Sequence, residues 1–259
     1  MFMGHHGQMH AQPGVGLRPD TPEDARSAWG YLPATSFRSR RSALSDAQRE
    51  TWDRLWPELG RQADTPPVQP LDTRAWFGRT APLVLEIGCG SGTSTLAMAQ
   101  AEPDIDVIAV EIYRRGLAQL LSAIDNAQVS NIRLIRGNGF DVLRDLIAPN
   151  SLTGVRVFFP DPWPKSRHHK RRLLQPGTVA LIADRLLPGG VLHAATDHPG
   201  YAEHIAEVGL QMEQAESRLV RVDSDIESLP ISVTRPTTKY EGKAQEAGST
   251  VFEFVWKRG

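Results

Sequence analysis

The sequence predicts an α/β fold, in which a doubly wound, largely parallel sheet carries helices on both faces. From residue 82 onward, short apolar runs alternate with stretches of helical spacing, which is typical of a parallel sheet. A glycine-rich loop at residues 86–92, EIGCGSG, follows the first apolar run and opens the first helix. The chain is 40% hydrophobic and 23% charged, so it has enough apolar material for a large core.

Each element of this fold follows from a local pattern. Strands are predicted at 83–87, 106–111, 132–135, 155–159 and 191–195, where apolar and β-branched residues cluster. Helices are predicted at 93–101, 116–126, 142–147, 179–187 and 199 to about 208. Pro103 and the PGG of residues 188–190 end two of these helices, and Pro199 suits a first helical turn. Two β-like segments, 218–222 and 250–256, predict an antiparallel final hairpin.

Upstream of the sheet, two further regions are expected. Residues 1–35 are rich in Gly, Pro and His without periodicity, and we expect a disordered tail. Residues 36–79 hold a basic segment, a helix and a proline-containing linker, and we expect them to pack on the main domain of residues 80–259. Ser45 and Gln48 form a capping-box pattern at the start of that helix, which should end near Gly60.

Composition limits the setting in which the protein works. The single cysteine, Cys89, excludes an intramolecular disulfide and fits a reducing compartment. No apolar run is long enough to span a bilayer, and the N-terminus lacks the apolar core of a signal peptide. We therefore expect a cytoplasmic protein that binds no membrane and no metal and that needs no obligate protein partner. Cys89 is expected to fill the glycine loop and not to act as a nucleophile.

The glycine loop predicts a nucleoside-containing ligand. Gly88 and Gly90 let the backbone approach that ligand, and Glu111, at the end of the second strand, can accept from both hydroxyls of a ribose. The spacing is G-x-G-x-G, not the G-x-G-x-x-G of dinucleotide sites, and Glu86 is ill-placed for a pyrophosphate. Glu86 suits the cationic S-adenosylmethionine instead, whose adenine edge Asn138 can bind with its amide.

The stretch FFPDPWPKSRHHKRRL, residues 158–173, joins a carboxylate to dense positive charge. Asp161 follows the fourth strand in a turn that flanking prolines stiffen, so we expect it beside the reactive methyl group, as a catalytic and cofactor-binding residue. Trp163 could stack on a base or anchor the loop. The cationic run, with a second patch upstream, predicts RNA binding by Arg38, Arg40, Arg41, Arg167, His168, His169, Lys170, Arg171 and Arg172.

Taken together, these motifs resemble the tRNA (guanine-N7)-methyltransferases. The similar segments are SFRSRR at 36–41, PDPWPKSRHHKRR at 160–172, TDH at 196–198 and RPTTKYE at 235–241. The resemblance covers roughly residues 36–257. It implies a seven-stranded, Rossmann-like methyltransferase sheet, S-adenosylmethionine as methyl donor, and methylation of the variable-loop guanine of tRNA, position 46.

The resemblance also implies which residues meet the substrate. Those that would contact the guanosine are Lys165, Asp197, Thr238, Lys239, Tyr240 and Glu241. The chain departs from the family pattern after the last of these, because it has Lys243-Ala244 where the family has Lys-Gly.

The chemistry of guanine N7 sets the requirements on the site. N7 carries a lone pair and no proton, so it can attack the methyl group without a general base. Catalysis then depends on positioning and on carboxylates that favour the cationic product ring. Asp161, Asp197 and Glu241 are the candidates for this role and for accepting from guanine N1–H and N2–H₂. The base must also leave the folded tRNA to reach the pocket.

Two other functions fit parts of the sequence. An exocyclic-amine methyltransferase would use an Asn/Asp-Pro-Pro-aromatic turn, and residues 161–163, DPW, are one proline short of it. A tRNA-binding protein without catalysis would account for the basic run, but it would have no need for a cofactor site.

Overall fold

Within residues 43–214, 219–236 and 250–259, which the computed structural model describes, eight strands form one mixed sheet. The strands are β1 (Gly60–Gln62), β2 (Leu83–Ile87), β3 (Asp106–Glu111), β4 (Ile132–Arg136), β5 (Leu152–Phe158), β6 (Leu186–Thr196), β7 (Leu219–Arg221) and β8 (Phe252–Arg258). Their order is β1-β4-β3-β2-β5-β6-β8-β7. The first six run parallel, whereas β8 is antiparallel to both β6 and β7. The predicted doubly wound sheet and its antiparallel end are therefore confirmed.

Helices cover both faces of this sheet. They are α1 (Asp46–Leu59), α2 (Thr73–Phe77), α3 (Thr93–Ala101), α4 (Arg114–Ala127), α5 (Gly139–Asp141), α6 (Pro176–Arg185) and α7 (Pro199–Gln214). A π-helical turn, Val142–Leu146, continues α5, and two 3₁₀ helices lie at Ser166–Arg171 and Ile226–Ser228. One apolar cluster joins the sheet to α6, α7 and the π-helical turn, and a second joins it to α1, α3 and α4. β2 is buried along its whole length because both of its faces are covered.

The first helix is capped by its own residues and is held to the main body by an ion pair and by apolar contact. The predicted capping box is present: Gln48 N–H donates to Ser45 Oγ (3.2 Å), and Ser45 N–H donates to Gln48 Oε1 (3.1 Å). Arg54 of α1 donates to both carboxylate oxygens of Asp125 on α4, at 2.6 and 3.2 Å. Buried Trp52 adds apolar contact on the same side. Among the described residues, no helix has the length and apolar character needed to cross a membrane.

The structure differs from the sequence prediction at two elements. The expected linker at 61–80 contains α2 and nearly all of β1, which adds an eighth strand by pairing Gly60 with Leu134 of β4. The three residues of β1 are too few and too polar to show a strand pattern. β6 also begins earlier than expected, because the PGG of residues 188–190 continues it across an irregularity in the pairing with β5.

Candidate functional site

Five parallel strands, β2 to β6, end at the same edge of the sheet, so the loops that follow them converge there. The glycine loop is the central one. Gly88, Gly90 and Gly92 have φ values of +79°, +57° and +75°, which favour glycine. A Cβ atom at Gly88 would meet nothing within 4 Å, whereas one at Gly116 of α4 would lie 2.2 Å from the Gly90 carbonyl oxygen. The loop thus packs tightly on α4 and is open at Gly88.

The carboxylate of Glu111 is held by backbone amides at the end of β3. Its Oε2 accepts from Gly90 N–H (3.0 Å), and its Oε1 accepts from the N–H groups of Ile112 (2.7 Å) and Tyr113 (3.0 Å). Each carboxylate oxygen has more than one acceptor site. Backbone amides thus take three of its roughly four acceptor sites, so the fold orients the carboxylate and leaves a site on Oε2 for a ligand hydroxyl group.

Asn138 caps the short helix α5 at the end of β4. Its Oδ1 accepts from Phe140 N–H at 2.9 Å. Because the carbonyl oxygen makes the cap, the side-chain NH₂ group supplies the donors at this position. An adenine edge with ring-nitrogen acceptors suits such a donor.

Glu86 lies beneath the glycine loop, 3% exposed. Thr95 Oγ1 donates to its Oε1 at 2.9 Å, and its Oε2 has no hydrogen-bond partner among the described residues. Burial raises the pKa of this carboxyl, although the nearby Arg156 and the Thr95 hydroxyl oppose the shift. The structure thus places a buried carboxyl with one unpaired oxygen directly behind the glycine loop.

Four of the residues predicted to bind the cofactor line one cleft at this edge: Gly88, Glu111, Asn138 and Asp161. Glu86 and Gly90 do not line the cleft. They lie behind its wall, where Gly90 N–H donates to Glu111. Sequence reasoning missed the apolar part of the wall, which includes Ile112, Tyr113, Phe159 and Leu173. The sequence marks these apolar residues only by their position close to residues that are predicted to bind the cofactor or RNA.

Asp161 is exposed at the mouth of this cleft, in a strained turn. Phe159 and Trp163, on either side of it, have φ values of +50° and +44°, which non-glycine residues rarely adopt. Phe159 N–H donates to the Ala195 carbonyl of β6 at 2.8 Å, which ties the turn to the sheet. The aspartate is thus presented by a backbone that its surroundings hold in place.

Trp163 packs within its own loop. The ring of His168 meets it edge-on at 5.8 Å between centroids, and the guanidinium of Arg171 lies 5.1 Å from its ring centroid. Of the two roles left open by the sequence, these contacts favour the loop anchor over a base-stacking platform.

The cationic run forms the 3₁₀ helix at Ser166–Arg171, and its members differ in exposure. Arg167 and Lys170 are exposed, whereas His168, His169 and Arg171 are half-buried. Partial burial, together with the neighbouring cations Arg171, Arg167, Lys165 and Lys170, lowers the pKa of His168. His168 is therefore neutral near pH 7.

Arg172, which is also predicted to bind RNA, is only 2% exposed. Its guanidinium donates to the carbonyl oxygens of Pro162 and Gly200. Because its donors are used inside the protein, the structure gives no support to the predicted contact of Arg172 with RNA.

Two predicted substrate residues lie near the cleft without lining it. Lys165 is exposed at the start of the 3₁₀ helix, and Asp197 is exposed just after β6. The remaining predicted site residues, Arg38, Arg40, Arg41, Thr238, Lys239, Tyr240 and Glu241, lie outside the described residues.

Cys89 is not activated as a nucleophile. Burial raises the pKa of its thiol well above the ordinary value, and the carboxylates of Glu86 and Glu111 raise it further. The thiol therefore stays protonated at neutral pH, as a residue that fills the loop would.

Known proteins resemble this chain over most of its length. A family model described as "Putative methyltransferase" matches residues 80–254. A protein of Mycobacterium ulcerans (strain Agy99) named tRNA (guanine-N(7)-)-methyltransferase is 67% identical over 280 residues, which cover 99% of each chain. Proteins of the same name from Mycobacterium avium (strain 104) and Mycobacterium tuberculosis (strain ATCC 25177 / H37Ra) are 71% and 72% identical. These alignments cover 99% of this chain and 100% and 96% of the relatives.

Among the solved structures that match this chain is that of the 16S rRNA methyltransferase KamB. It superposes with a TM-score of 0.49 at 13% identity, covering 74% of this chain and 95% of that one.

Proposed function

Because the chain belongs to the tRNA (guanine-N(7)-)-methyltransferase family, we propose that it transfers a methyl group from S-adenosylmethionine to N7 of a guanine in tRNA. The guanine is that of position 46 in the variable loop, and the product is 7-methylguanosine. One observation about the site carries the proposal: backbone-fixed Glu111, the amide of Asn138 and the carboxylate of Asp161 line a single cleft.

The cofactor would be held by four groups of this cleft and its floor. Glu111 would accept from a ribose hydroxyl at its Oε2, and Asn138 would donate to the adenine. Glu86, buried beneath the glycine loop, would favour the positive charge of the cofactor from behind the cleft wall, and the open backbone of Gly88 would lie against the cofactor. When bound, S-adenosylmethionine supplies a methyl group on a positively charged sulfur.

Asp161 is the catalytic residue of the proposal. Guanine N7 has no proton to lose, so the site needs no general base. As the N7–CH₃ bond formed and the S–CH₃ bond broke, with its electron pair left on the sulfur, the positive charge would pass from the sulfur to the purine ring, and the carboxylate of Asp161 at the cleft mouth would favour that charge. Because the turn is fixed by its surroundings, the carboxylate needs little reorganisation to do so.

The substrate side of the cleft would bind the guanosine and the tRNA backbone. The guanosine contacts are assigned to Lys165, Asp197, Thr238, Lys239, Tyr240 and Glu241. The phosphate contacts are assigned to Arg38, Arg40, Arg41, Arg167, His168, His169, Lys170 and Arg171. Exposed cations such as Arg167 and Lys170 support this assignment, since a target base must be drawn out of the folded tRNA while the phosphates around it are held.

The proposal is tested by product analysis. The purified protein is incubated with methyl-labelled S-adenosylmethionine and a tRNA transcript, and the digested nucleosides are identified by mass spectrometry. We expect 7-methylguanosine, and we expect it to be lost when G46 of the transcript is replaced by adenosine or 7-deazaguanosine. The appearance of N2-methylguanosine would establish the exocyclic-amine alternative. Absence of both product and S-adenosylmethionine binding by calorimetry would leave a tRNA-binding protein without catalysis.

A further inference from the structure

Arg172 connects two loops of the site that are far apart in the sequence. Its Nε donates to the carbonyl oxygen of Pro162 at 2.9 Å, and its Nη1 donates to the carbonyl oxygen of Gly200 at 3.0 Å. Pro162 directly follows Asp161, and Gly200 lies three residues after Asp197, in the first turn of α7. A single guanidinium thus bridges the two loops that present the candidate carboxylates.

The rest of the guanidinium is also engaged. Its Nη2 lies 3.1 Å from Nε2 of His169, and its Cζ lies over the ring of Tyr201, 4.9 Å from the ring centroid. Burial lowers the pKa of Arg172 but an arginine remains charged at neutral pH. A buried cation with donors on two backbone carbonyls is built to hold backbone in place, since no anion is paired with it in these contacts.

The turn around Asp161 depends on such a donor from outside. Residues 160–164, PDPWP, contain three prolines, which have no N–H, so this stretch offers few backbone donors of its own. Phe159 and Trp163 are in the left-handed region, which costs energy that surrounding contacts must offset. Arg172 makes one of those contacts, at the residue next to the catalytic carboxylate.

We propose that Arg172 is a positioning residue for methyl transfer: by holding the Pro162 and Gly200 carbonyls at one guanidinium, it sets the spacing between Asp161 and Asp197, so that both carboxylates meet the same guanine. The proposal rests on the proposed function. It assigns Arg172 no contact with tRNA or cofactor.

The chain contains a matched control for this idea in Arg133 of β4. Arg133 is 7% exposed, donates to the backbone carbonyls of Trp76, Ser130 and Ile132, and lies 4.7 Å from the ring centroid of Phe77. It therefore has the same kind of contacts as Arg172, but near the start of a strand, away from the edge that carries the cleft. Replacing either arginine removes a comparable structural contact, and only one of them bridges the site.

The experiment compares Arg172→Lys with Arg133→Lys in the full chain. A lysine has one nitrogen and cannot reach two separate carbonyls as the planar fork does. We expect both variants to lower Tm. We expect Arg172→Lys to reduce kcat per folded molecule about 10- to 100-fold, since small misplacements of reacting groups have effects of this size. For Arg133→Lys, kcat per folded molecule should stay within about two-fold of wild type.

Two further measurements separate positioning from RNA binding and from simple unfolding. In Arg172→Lys, the salt dependence of tRNA binding and the Kd for S-adenosylmethionine should stay near wild type, because the residue is buried and Glu111 and Asn138 are untouched. If the lysine variant does not fold, Arg172→Ala is assayed at lower temperature with added methylguanidinium, which should restore part of kcat by occupying the vacated space.

Several results would overturn the proposal. They are an equal loss of kcat per folded molecule in the two lysine variants, a salt slope reduced by about one unit in Arg172→Lys, or no methylguanidinium rescue of the alanine variant. If the wild-type chain itself makes no 7-methylguanosine, the proposed function has failed, which is a separate outcome.

Discussion

In the half of the cleft formed by the ends of β2, β3 and β4, Glu111 and Asn138 are fixed by backbone amides, most of which lie within two residues of them in the sequence. Glu111 accepts from Ile112, Tyr113 and the glycine loop, and Asn138 caps the helix that it begins. In the half formed by the ends of β5 and β6, the backbone itself is fixed by side chains from elsewhere. We call these the cofactor half and the substrate half.

Two arginines hold the substrate half. Arg172 bridges Pro162 and Gly200, and Arg235 lies over the ring of Phe159, 4.9 Å from its centroid. Arg235 is in turn paired with Glu253 of β8 at 2.8 Å.

The difference matches what each half would have to do. A cofactor is always the same small molecule, and a rigid set of acceptors and donors formed by local backbone suits it. A guanine drawn out of a folded tRNA enters with its own backbone attached, so the groups that meet it must be placed relative to one another across two loops. The following predictions test this division, from the largest expected effect to the smallest.

Replacing Asp161 with asparagine should slow methyl transfer without changing the structure of either half of the cleft. The change keeps the shape and removes the charge, so we expect kcat to fall about 10²–10³-fold, as for other preorganised electrostatic groups. The tRNA Kd should change little. Single-turnover rates at saturating tRNA and S-adenosylmethionine measure the effect, with Asp104→Asn, an exposed position before β3, as the control. A loss of less than about threefold would remove Asp161 from the catalytic role.

Replacing Glu111 with alanine should affect the cofactor half alone. A lost charged hydrogen bond is worth about 1.5–3 kcal/mol, so we expect the Kd for S-adenosylmethionine to rise roughly 10- to 150-fold. Affinity for tRNA should stay nearly constant, because the substrate half is held by other contacts. Calorimetric titrations with each ligand decide the point. Weakened tRNA binding with unchanged cofactor binding would show that Glu111 has been assigned to the wrong half.

Replacing Arg167 and Lys170 together with alanine should affect the substrate half alone. Both are exposed, and if each meets one phosphate, the slope of log K against log salt should become shallower by about 1.8. When salt is raised from 50 to 200 mM, the variant should therefore lose roughly tenfold less of its affinity for tRNA than the wild type loses. Binding titrations across that range measure the slope, with Lys257→Ala, exposed on β8, as the control. An unchanged slope would mean that the 3₁₀ helix is an ordinary solvated surface.

The smallest effect concerns the pair that supports Arg235. Hydrogen bonds from His193 and then Arg235 lower the pKa of Glu253, so its stabilising contribution is present above the ordinary carboxyl pKa and is lost as pH falls through the lowered value. The Glu253 side chain is 40% exposed, so Glu253→Gln should lower Tm by only about 1–3 °C at pH 7. Melting curves from pH 7 to pH 3 should show this difference shrinking in acid. A constant difference would show that the charge of Glu253 does not matter.

The two halves also differ in how well the sequence predicts them. The positions of Glu86, Glu111 and Asn138 at one edge of the sheet could be predicted because each lies at or just after a strand whose end is visible in the apolar pattern. Arg172 could not, because within a run of cations nothing in its neighbours distinguishes a buried arginine from an exposed one. Its burial depends on Gly200 and Tyr201, which a strand and a helix separate from it in the sequence.

The same limit applies to the fold. Five parallel strands followed from their own residues, whereas β1 exists because Gly60 pairs with Leu134, more than seventy positions along the chain. The three residues of β1 are glycine or polar, so they show no alternation of apolar and polar residues from which this pairing could be predicted.

The two outermost strands have a consequence for the behaviour of the protein in a crowded cell. β1 and β7 are three residues each and carry Arg61 and Arg221. Long, flat and uncharged edges invite strands of other chains to join, whereas short edges with a charge discourage such growth. The addition of β1 thus covers the edge of β4 with a strand that is itself a poor template for aggregation.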